Sequence, residues 1–243
     1  MSKQIKVALI GNPNTGKTSI FNSLTGLNQK VANYPGVTVV KKEGVCKLDR
    51  GIKAHIYDLP GTYSLNASSM DENIVVELLL NKNNKDYPDL AIIVSDVENL
   101  KRNLVLFSQV KDLRIPTLLA VNMSDRMKYK GIELDLSALE KSLDTKIILT
   151  TNRSSEWIDK LKSIISNYTT LSSNNFMDLN KIDPIYFQNL KSTFPNQDLY
   201  KLWVVICQDA NFTNIDKKFL ESKNFETKTL SELKRLQQKE TIK

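Results

Sequence analysis

The amino-acid sequence predicts an α/β protein: a mostly parallel six-stranded sheet flanked by helices, followed by a small all-helical C-terminal subdomain. Short runs rich in Val and Ile alternate with helix-period segments as far as residue 166. This alternation is typical of a parallel sheet with helices on both faces. Beyond residue 183 the apolar residues recur every three or four positions, which predicts helices only.

The element boundaries follow from the same patterns and from turn residues. The predicted strands cover residues 6–10, 37–48, 52–58, 90–96, 116–123 and 146–150, and the predicted helices cover residues 17–24, 71–80, 100–112, 136–142 and 156–166. Asp49, Arg50 and Gly51 form a turn signal, so the second and third strands are expected to pair antiparallel at one edge of the sheet. The domain prediction is a first domain at 1–166, a polar linker at 167–183 and the helical subdomain at 184–243.

Composition excludes several classes of protein. The net charge of +7 is spread along the chain without a basic stripe, so no nucleic-acid partner is expected. The apolar runs are far shorter than the roughly 20 residues that span a bilayer, and the N-terminus lacks a signal-peptide pattern, which predicts a cytoplasmic location. Cys46 and Cys207, with His55 as the one histidine, predict neither a disulfide framework nor a zinc site.

A phosphate-binding motif, G-x-x-x-x-G-K-S/T, lies directly after the first strand and opens the first helix. Backbone N–H groups of such a loop and the positive helix end hold phosphate oxygens. Lys17 is expected to reach the β- and γ-phosphates, and the Thr18 hydroxyl to bind a Mg²⁺ ion that bridges them. The predicted nucleotide contacts of this segment are Gly11, Asn12, Pro13, Asn14, Thr15, Gly16, Lys17, Thr18 and Ser19.

A second motif, D-x-x-G, stands at the end of the third predicted strand. Asp58 is expected to hold Mg²⁺ through water, and the Gly61 N–H to contact the γ-phosphate, so that the loop after it senses that phosphate. Leu59 and Pro60 complete the predicted contacts. Alone the motif is weak, but about 40 residues after a phosphate-binding loop it becomes specific.

Two further segments predict the base that is bound. Asp125, in the sequence N-M-S-D that begins with Asn122 and Met123, can accept hydrogen bonds from guanine N1–H and the exocyclic amine. Adenine has no such donor pair, and an unpaired buried carboxylate is costly, so the motif predicts GTP and GDP rather than ATP. After the last strand, backbone N–H groups of the Thr150, Thr151 and Asn152 segment are expected to contact guanine O6.

Thr38, together with Gly36 and Val37, lies between the first helix and the second strand. There a loop can close over the γ-phosphate, and the Thr38 hydroxyl can bind Mg²⁺ in the triphosphate state. The alternative is an ordinary strand threonine, because threonine is common in Val-rich strands. The other motifs favour the first interpretation.

Four segments together resemble the cytosolic GTPase domain of the bacterial ferrous iron transporter FeoB family: G-N-P-N-T-G-K-T-S-I-F-N, N-Y-P-G-V-T-V, D-L-P-G-T-Y-S-L and N-M-S-D. The resemblance covers residues 5 to about 166 well. It is looser beyond residue 180, where the family has a helical spacer, similar to a nucleotide-dissociation inhibitor, that leads to the membrane pore. It implies a GTPase on the cytoplasmic face of the bacterial inner membrane.

The resemblance also implies a K⁺ site beside the phosphates, formed by Asn14 and by backbone carbonyls near Asn33 and Tyr34. A second cation can stabilise charge during phosphoryl transfer as an arginine finger does. Thr62 stands where many GTPases have a water-orienting glutamine, so intrinsic hydrolysis is expected to be slow. The residues expected to act in hydrolysis are Lys17, Thr38, Gly61 and Asn14.

The partners that the resemblance implies are a membrane-embedded iron permease domain, small accessory Feo proteins and a weak homo-oligomer. Two departures from the family pattern are Val40, where an acidic residue is common, and the glycine-free sequence at 154–157. An RNA- or ribosome-associated GTPase is the alternative function, but residues 167–243 hold no glycine for a G-x-x-G loop. A nucleotide sensor without turnover is a third interpretation.

Overall fold

A single seven-stranded sheet forms the centre of the computed structural model, which describes residues 4–26, 29–34 and 39–207. The strands are β1 Gln4–Ile10, β2 Gln29–Asn33, β3 Val40–Lys47, β4 Lys53–Asp58, β5 Leu90–Asp96, β6 Thr117–Asn122 and β7 Ile147–Leu149. Their order is β2-β3-β4-β1-β5-β6-β7. From β4 to β7 all neighbours are parallel, whereas β3 is antiparallel to both β2 and β4.

Nine helices connect or follow these strands in the part of the chain that the structure describes. They are α1 Lys17–Thr25, α2 Met70–Leu80, α3 Leu100–Asp112, α4 Met127–Lys130, α5 Leu136–Leu143, α6 Glu156–Ser166, α7 Leu179–Ile182, α8 Pro184–Thr193 and α9 Leu199–Ile206. The five helices predicted within the first 166 residues are confirmed, and each begins and ends within one residue of its predicted bounds. None of the described helices is both long and apolar enough to cross a bilayer.

The prediction of six strands is wrong by one, because β2 was missed. All five residues of β2 are exposed, so its sequence carries no apolar alternation. The antiparallel pair around the turn Asp49–Gly51 is confirmed as β3 and β4, but β2 rather than this pair forms the edge of the sheet. The strand predicted from residue 37 begins at Val40, and residues 37 and 38 lie outside the described ranges.

The two faces of β1 carry two separate cores. Ile5, Val7 and Leu9 pack with apolar side chains of α1 and α6, whereas Ala8 and Ile10 face α2, α3, α8 and α9. All five side chains are fully buried. Complete burial of a large apolar side chain contributes about 1.5–3 kcal/mol, so the loop that follows β1 is anchored to a well-buried strand.

Residues 167–183, predicted as a linker, contain a turn at Tyr168–Thr170 and the helix α7. The Asp112 carboxylate at the end of α3 accepts the backbone N–H groups of Phe176 and Met177, at 2.5 and 3.0 Å. Beyond them, α8 and α9 contribute to the same core as α2 and α3. Residues 208–243 of the predicted helical subdomain lie outside the described ranges, so the division into domains stays a prediction.

The parallel strands end at one edge of the sheet, and the motifs found in the sequence follow these ends. β1, β4 and β6 end at Ile10, Asp58 and Asn122. In open α/β sheets this edge is where ligands bind. The connection after β1 and the segments at the ends of β4 and β6 therefore meet in one place.

Candidate nucleotide-binding site

The loop between β1 and α1 adopts the backbone conformation that its glycines predict. Gly16 has φ +88°, in the left-handed region, and a Cβ there would lie 2.1 Å from Asn122 Nδ2. A Cβ on Gly11 would lie 2.2 Å from the carbonyl oxygen of Val94. Asn14 also has a positive φ, 64°, which asparagine tolerates better than most residues. At Gly11 and Gly16 the loop backbone thus lies too close to its neighbours to admit a side chain.

Lys17 is held across this loop. Its ammonium group donates hydrogen bonds to the carbonyl oxygens of Gly11 and Asn12, at 2.9 and 3.0 Å. The residue is only 8% exposed, and burial lowers the pKa of Lys17 to about 8, while the Asp58 carboxylate opposes that shift. Bound phosphate would raise this pKa again, because negative charge beside a buried ammonium favours its charged form.

Thr18 and Asp58 form a pair of oxygen donors next to Lys17. The Thr18 hydroxyl donates to Asp58 Oδ2 at 2.8 Å, while Asp58 Oδ1 is buried and no donor within the described ranges reaches it. Burial raises the pKa of Asp58, and the Thr18 hydrogen bond and the Lys17 charge oppose that shift. Mg²⁺ prefers oxygen ligands and water, so a hydroxyl beside an unsatisfied carboxylate oxygen fits this ion.

The loop after β4 lies directly against the phosphate-binding loop. A Cβ on Gly61 would come within 2.9–3.1 Å of three atoms of Pro13, so only glycine fits without displacement. The Thr62 N–H donates to the Gly11 carbonyl at 3.2 Å, and the Leu59 N–H donates to the Leu9 carbonyl at 3.2 Å. These contacts hold the two predicted phosphate-binding loops together.

Glu72, which the motif analysis missed, organises the rest of this loop from the first turn of α2. Its carboxylate accepts hydrogen bonds from the Ser68 N–H and hydroxyl, at 2.8 and 2.7 Å, and from the Tyr63 N–H at 3.3 Å. These hydrogen bonds lower the pKa of Glu72 against the opposing effect of burial. The S-x-x-E sequence at Ser69 signals this helix start, because Ser69 caps α2 by accepting the Glu72 N–H.

Asn122 connects the phosphate side of the site to the base side. Its amide group donates to the Thr15 carbonyl at 2.9 Å, and its amide oxygen accepts the Thr150 hydroxyl at 3.0 Å. The residue is 2% exposed, so both bonds are shielded from water. Met123 follows with φ 60°, which turns the chain toward Asp125. Asn122 therefore connects the end of β6 to the phosphate-binding loop and to the segment after β7.

Asp125 is half-buried on the base side of the site. The Thr151 hydroxyl donates to one of its carboxylate oxygens at 2.8 Å, and Arg153 Nε lies 3.1 Å from the other. Asn152 extends toward α1, where its amide nitrogen lies 3.5 Å from the Ser19 hydroxyl. The sequence analysis included Thr151 and Asn152 for their backbone and assigned no role to Arg153.

Trp157 supports the glycine-free loop that departs from the family pattern. Its indole N–H is shared between the carbonyl oxygens of Thr151 and Ser154, at 2.8 and 2.9 Å. The ring is 6% exposed and belongs to the core beneath α1 and α6. A side-chain donor thus supports a turn for which glycine would be usual, and no simple sequence pattern announces this contact.

A buried polar network behind the phosphate-binding loop was also missed. The Asn12 amide nitrogen donates to the side-chain oxygen of Asn103 in α3. The side-chain nitrogen of Asn103 donates in turn to the Ser95 hydroxyl at 2.9 Å and to Asp96 Oδ2 at 3.2 Å. Asn103 is 2% exposed and falls within the apolar stripe of α3. A polar residue within such a stripe is the signal that could have indicated it.

Most predicted site residues are thus brought together at the carboxyl edge of the sheet. The loop residues from Gly11 to Thr18, the segment from Asp58 to Gly61, the Asn122–Asp125 turn and the Thr150–Asn152 segment meet there. Gly36, Val37 and Thr38 lie outside the described residues, so their predicted roles stay predictions. The assigned contacts with nucleotide, Mg²⁺ and K⁺ stay predictions as well.

The sheet order and the arrangement of these loops define the class of the protein as a P-loop GTPase fold. Residues 5–165 match the model of the family described as ferrous iron transport protein B. The chain belongs to this family, known as FeoB. The match favours the iron-transport interpretation and lends no support to an RNA- or ribosome-associated GTPase.

Individual relatives agree with the family assignment. The chain is 44% identical over 164 residues to the Fe(2+) transporter FeoB of Leptospira biflexa, which covers 68% of this chain and 23% of that protein. The G domain of the T. maritima FeoB iron transporter is 41% identical, covering 69% of this chain and 99% of that chain, with a TM-score of 0.62. The T. maritima cytosolic domain in its GMPPNP form is 30% identical, covering 97% and 92%, with a TM-score of 0.74.

Proposed function

We propose that this chain binds GTP and GDP with Mg²⁺, hydrolyses GTP slowly and thereby regulates ferrous iron transport across the bacterial inner membrane. The observation that carries the proposal is the convergence of Lys17, the Thr18–Asp58 pair and Asp125 at one edge of the sheet. The structures of its relative from T. maritima in GDP and GMPPNP forms support guanine nucleotides as the ligand.

Each part of the site has a role in this proposal. The Lys17 ammonium neutralises charge on the β- and γ-phosphates, the Gly61 N–H donates to the γ-phosphate, and Asp125 accepts from guanine. Thr18 and Asp58 would hold Mg²⁺, which supplies positive charge to the phosphate oxygens when bound. Most of these groups are fixed by hydrogen bonds within the protein, so little reorganisation is needed on binding.

Slow hydrolysis is supported by the surroundings of Thr62. This side chain is fully buried, and its hydroxyl donates to the Ser64 carbonyl at 2.8 Å. The proton of this hydroxyl is committed to the Ser64 carbonyl, with the Glu72 carboxylate 3.4 Å away, so the buried side chain cannot donate it to an attacking water. Positioning of the water then depends on backbone and on a cation, which agrees with the K⁺ stimulation that the family resemblance implies.

Calorimetry with GDP, GMPPNP and ADP in magnesium buffer tests nucleotide binding. We expect heat with both guanine nucleotides and none with ADP, because ADP lacks the donor pair that Asp125 reads. Lys17→Ala should lose about tenfold or more in GDP affinity, as expected for loss of a charge-assisted hydrogen bond. Absence of heat with both guanine nucleotides would refute the function.

Turnover of GTP in K⁺ against Na⁺ tests the second cation at Asn14. Asn14→Gly removes the amide while keeping the left-handed backbone, whereas Asn14→Ala removes the same amide and adds backbone strain. We expect both variants to lose K⁺ stimulation and to retain GDP binding. Loss in the alanine variant alone would assign the effect to backbone strain, and stimulation in both would remove Asn14 from the site.

The role in transport belongs to the longer protein, since the chain spans only 23% of the Leptospira relative. We propose that the described helices after residue 178 connect nucleotide state to a membrane-embedded iron permease domain at the cytoplasmic face. Small accessory Feo proteins and a weak homo-oligomer are further proposed partners. Uptake of radioactive Fe²⁺ by cells that carry the full-length gene should fall with Lys17→Ala and stay unchanged with Lys128→Ala, an exposed lysine of α4.

A further inference from the structure

The segment after β7 contacts both oxygens of the Asp125 carboxylate. Thr151 donates its hydroxyl to Oδ1 at 2.8 Å, and Arg153 Nε lies 3.1 Å from Oδ2. The backbone N–H of Arg153 also donates to the Thr151 hydroxyl oxygen, at 3.2 Å. That bond occupies a lone pair of the hydroxyl and leaves its proton directed at Asp125. The Arg153 side chain thus acts on Asp125 directly, while its backbone N–H, which a substitution of the side chain leaves in place, orients Thr151.

The acceptor positions that stay open on this carboxylate suit a base with two donors. An ionised carboxylate offers about four lone-pair positions on its two oxygens. The Thr151 hydroxyl fills one position on Oδ1, and the Arg153 guanidinium lies against Oδ2 as an ion pair. Positions for both the N1–H and the exocyclic amine of guanine therefore remain. Hypoxanthine has only the N1–H, so one lone pair of a partly buried oxygen would stay without a donor, which costs free energy.

We propose that Arg153 is a positioning residue that fixes the Asp125 carboxylate and sets the preference of the site for guanine over hypoxanthine. The inference rests on the proposed function. Without Arg153 the carboxylate can rotate about its Cβ–Cγ bond, and water can satisfy one oxygen. The difference in binding free energy between guanine, with two donors, and hypoxanthine, with one, then becomes smaller.

The size of the effect follows from exposure. The side chains of Arg153 and Asp125 are 68% and 24% exposed, so their attraction is screened by water and weakened by salt. We therefore expect Arg153→Ala to lower GDP affinity about two- to fivefold, in line with measured exposed pairs. The affinity for IDP should change much less, so the ratio of the two affinities should fall by nearly the same factor.

Calorimetry with GDP and IDP, in magnesium buffer at low and high salt, tests the proposal. The two nucleotides carry the same phosphates, so screening at the phosphate site cancels in their affinity ratio. Arg153→Lys keeps the charge but lacks the planar donor group, and should restore the ratio only in part. Arg126→Ala is the matched control, because Arg126 is an exposed arginine beside Asp125 whose side chain bonds Glu98, and it should leave the ratio unchanged.

Several results would overturn the proposal. Equal losses for GDP and IDP would show that Arg153 contributes only general charge or stacking on the base. Tighter GDP binding by Arg153→Ala would show that Arg153 competes with guanine for Asp125. An unchanged ratio in a variant with normal melting temperature would remove Arg153 from base selection. Failure of the unaltered chain to bind GDP at all would instead refute the proposed function.

Discussion

The phosphate side and the base side of the site are built in different ways. Around the predicted phosphates the structure relies mainly on the loop backbone. Gly11 and Gly16 lie too close to the Val94 carbonyl and the Asn122 amide to carry a Cβ, and Lys17 bonds main-chain carbonyls. Around Asp125 it relies on side chains that bond one another. Lys17 is 8% exposed, whereas the Asp125 side chain is 24% exposed.

This difference determines how each side should respond to change. A backbone-built loop buried against β5 and β6 has no alternative packing, so one added methyl group should disturb all of its contacts. Side-chain contacts near the surface can be replaced by water at little cost. We therefore expect large effects on the phosphate side and graded, base-selective effects on the other.

The largest effect is expected for Gly16→Ala. The new Cβ would lie 2.1 Å from Asn122 Nδ2 at a residue with φ +88°, which adds strain and displaces Asn122 from the Thr15 carbonyl. GDP affinity should fall about 100-fold or more, equivalent to roughly 2.7 kcal/mol. Calorimetry with GDP measures it.

Gly131→Ala is the matched control for strain alone. Gly131 has φ +62° at the end of α4, and nothing lies within 4 Å of a Cβ there. It should lose about 1 kcal/mol of stability to thermal unfolding and keep its GDP affinity. Near-normal GDP binding by Gly16→Ala would contradict the view that the phosphate side lacks alternative packing.

Asp125→Asn should have the next largest effect, confined to base choice. The asparagine amide replaces an acceptor by a donor, which opposes the guanine amine but suits the C2 carbonyl of xanthine. GDP affinity should fall about 10- to 100-fold, the range for hydrogen bonds to charged groups, while XDP affinity rises. Asp159→Asn, the same change at an exposed position of α6, should alter neither affinity. Unchanged GDP binding would remove Asp125 from the base site.

The sequence predicts the phosphate side of the site better than the base side. The glycines, Lys17 and Asp58 are predictable because close approach to phosphate and metal restricts both residue type and spacing. The bounds of α3 and α6 were predictable because their buried residues recur at helical spacing. Strand β2 was not, since its five residues are exposed and its pairing with β3 depends on backbone hydrogen bonds rather than on side-chain pattern.

On the base side, the sequence predicts the residue that contacts guanine but not the side chains that hold it in place. Asp125 follows a buried strand in a recognisable motif. Arg153 and Trp157 act through contacts that fold geometry alone brings about, and Asn103 reaches Asn12 across 91 residues. The bonds of Trp157 are local in sequence and that of Asn103 is long-range, but neither kind of polar contact leaves a periodic signal.

Asn103→Ala tests whether the backbone-built loop depends on its buried polar support. It would leave the Asn12 amide and the Ser95 hydroxyl without their shared partner, which should cost about 1–3 kcal/mol of unfolding free energy. GDP affinity should fall about fivefold, because a loosened loop must be ordered on binding. Urea unfolding and calorimetry measure the two effects.

Asn73→Ala is the control for burial. Asn73 in α2 is 5% exposed and, like Asn103, a buried amide, but among the described residues no hydrogen bond joins its side chain to the phosphate-binding loop. A change in stability without a change in GDP affinity is expected for this variant. The same outcome for Asn103→Ala would show that the loop holds its shape without the network.

The smallest effect is expected for Trp157→Phe, which removes one N–H donor and keeps most of the ring in the core. The carbonyls of Thr151 and Ser154 lose that donor, so the loop that supports Asp125 should become more mobile, and GDP affinity should fall about threefold or less. The chain has two tryptophans, so Trp203→Phe leaves Trp157 as the one fluorescent reporter. Its emission should change on GDP binding, because its indole N–H bonds the loop that also binds Asp125. Constant emission on GDP binding, together with unchanged GDP affinity in Trp157→Phe, would show that this loop is rigid without Trp157. The base side would then be as rigid as the phosphate side despite its greater exposure.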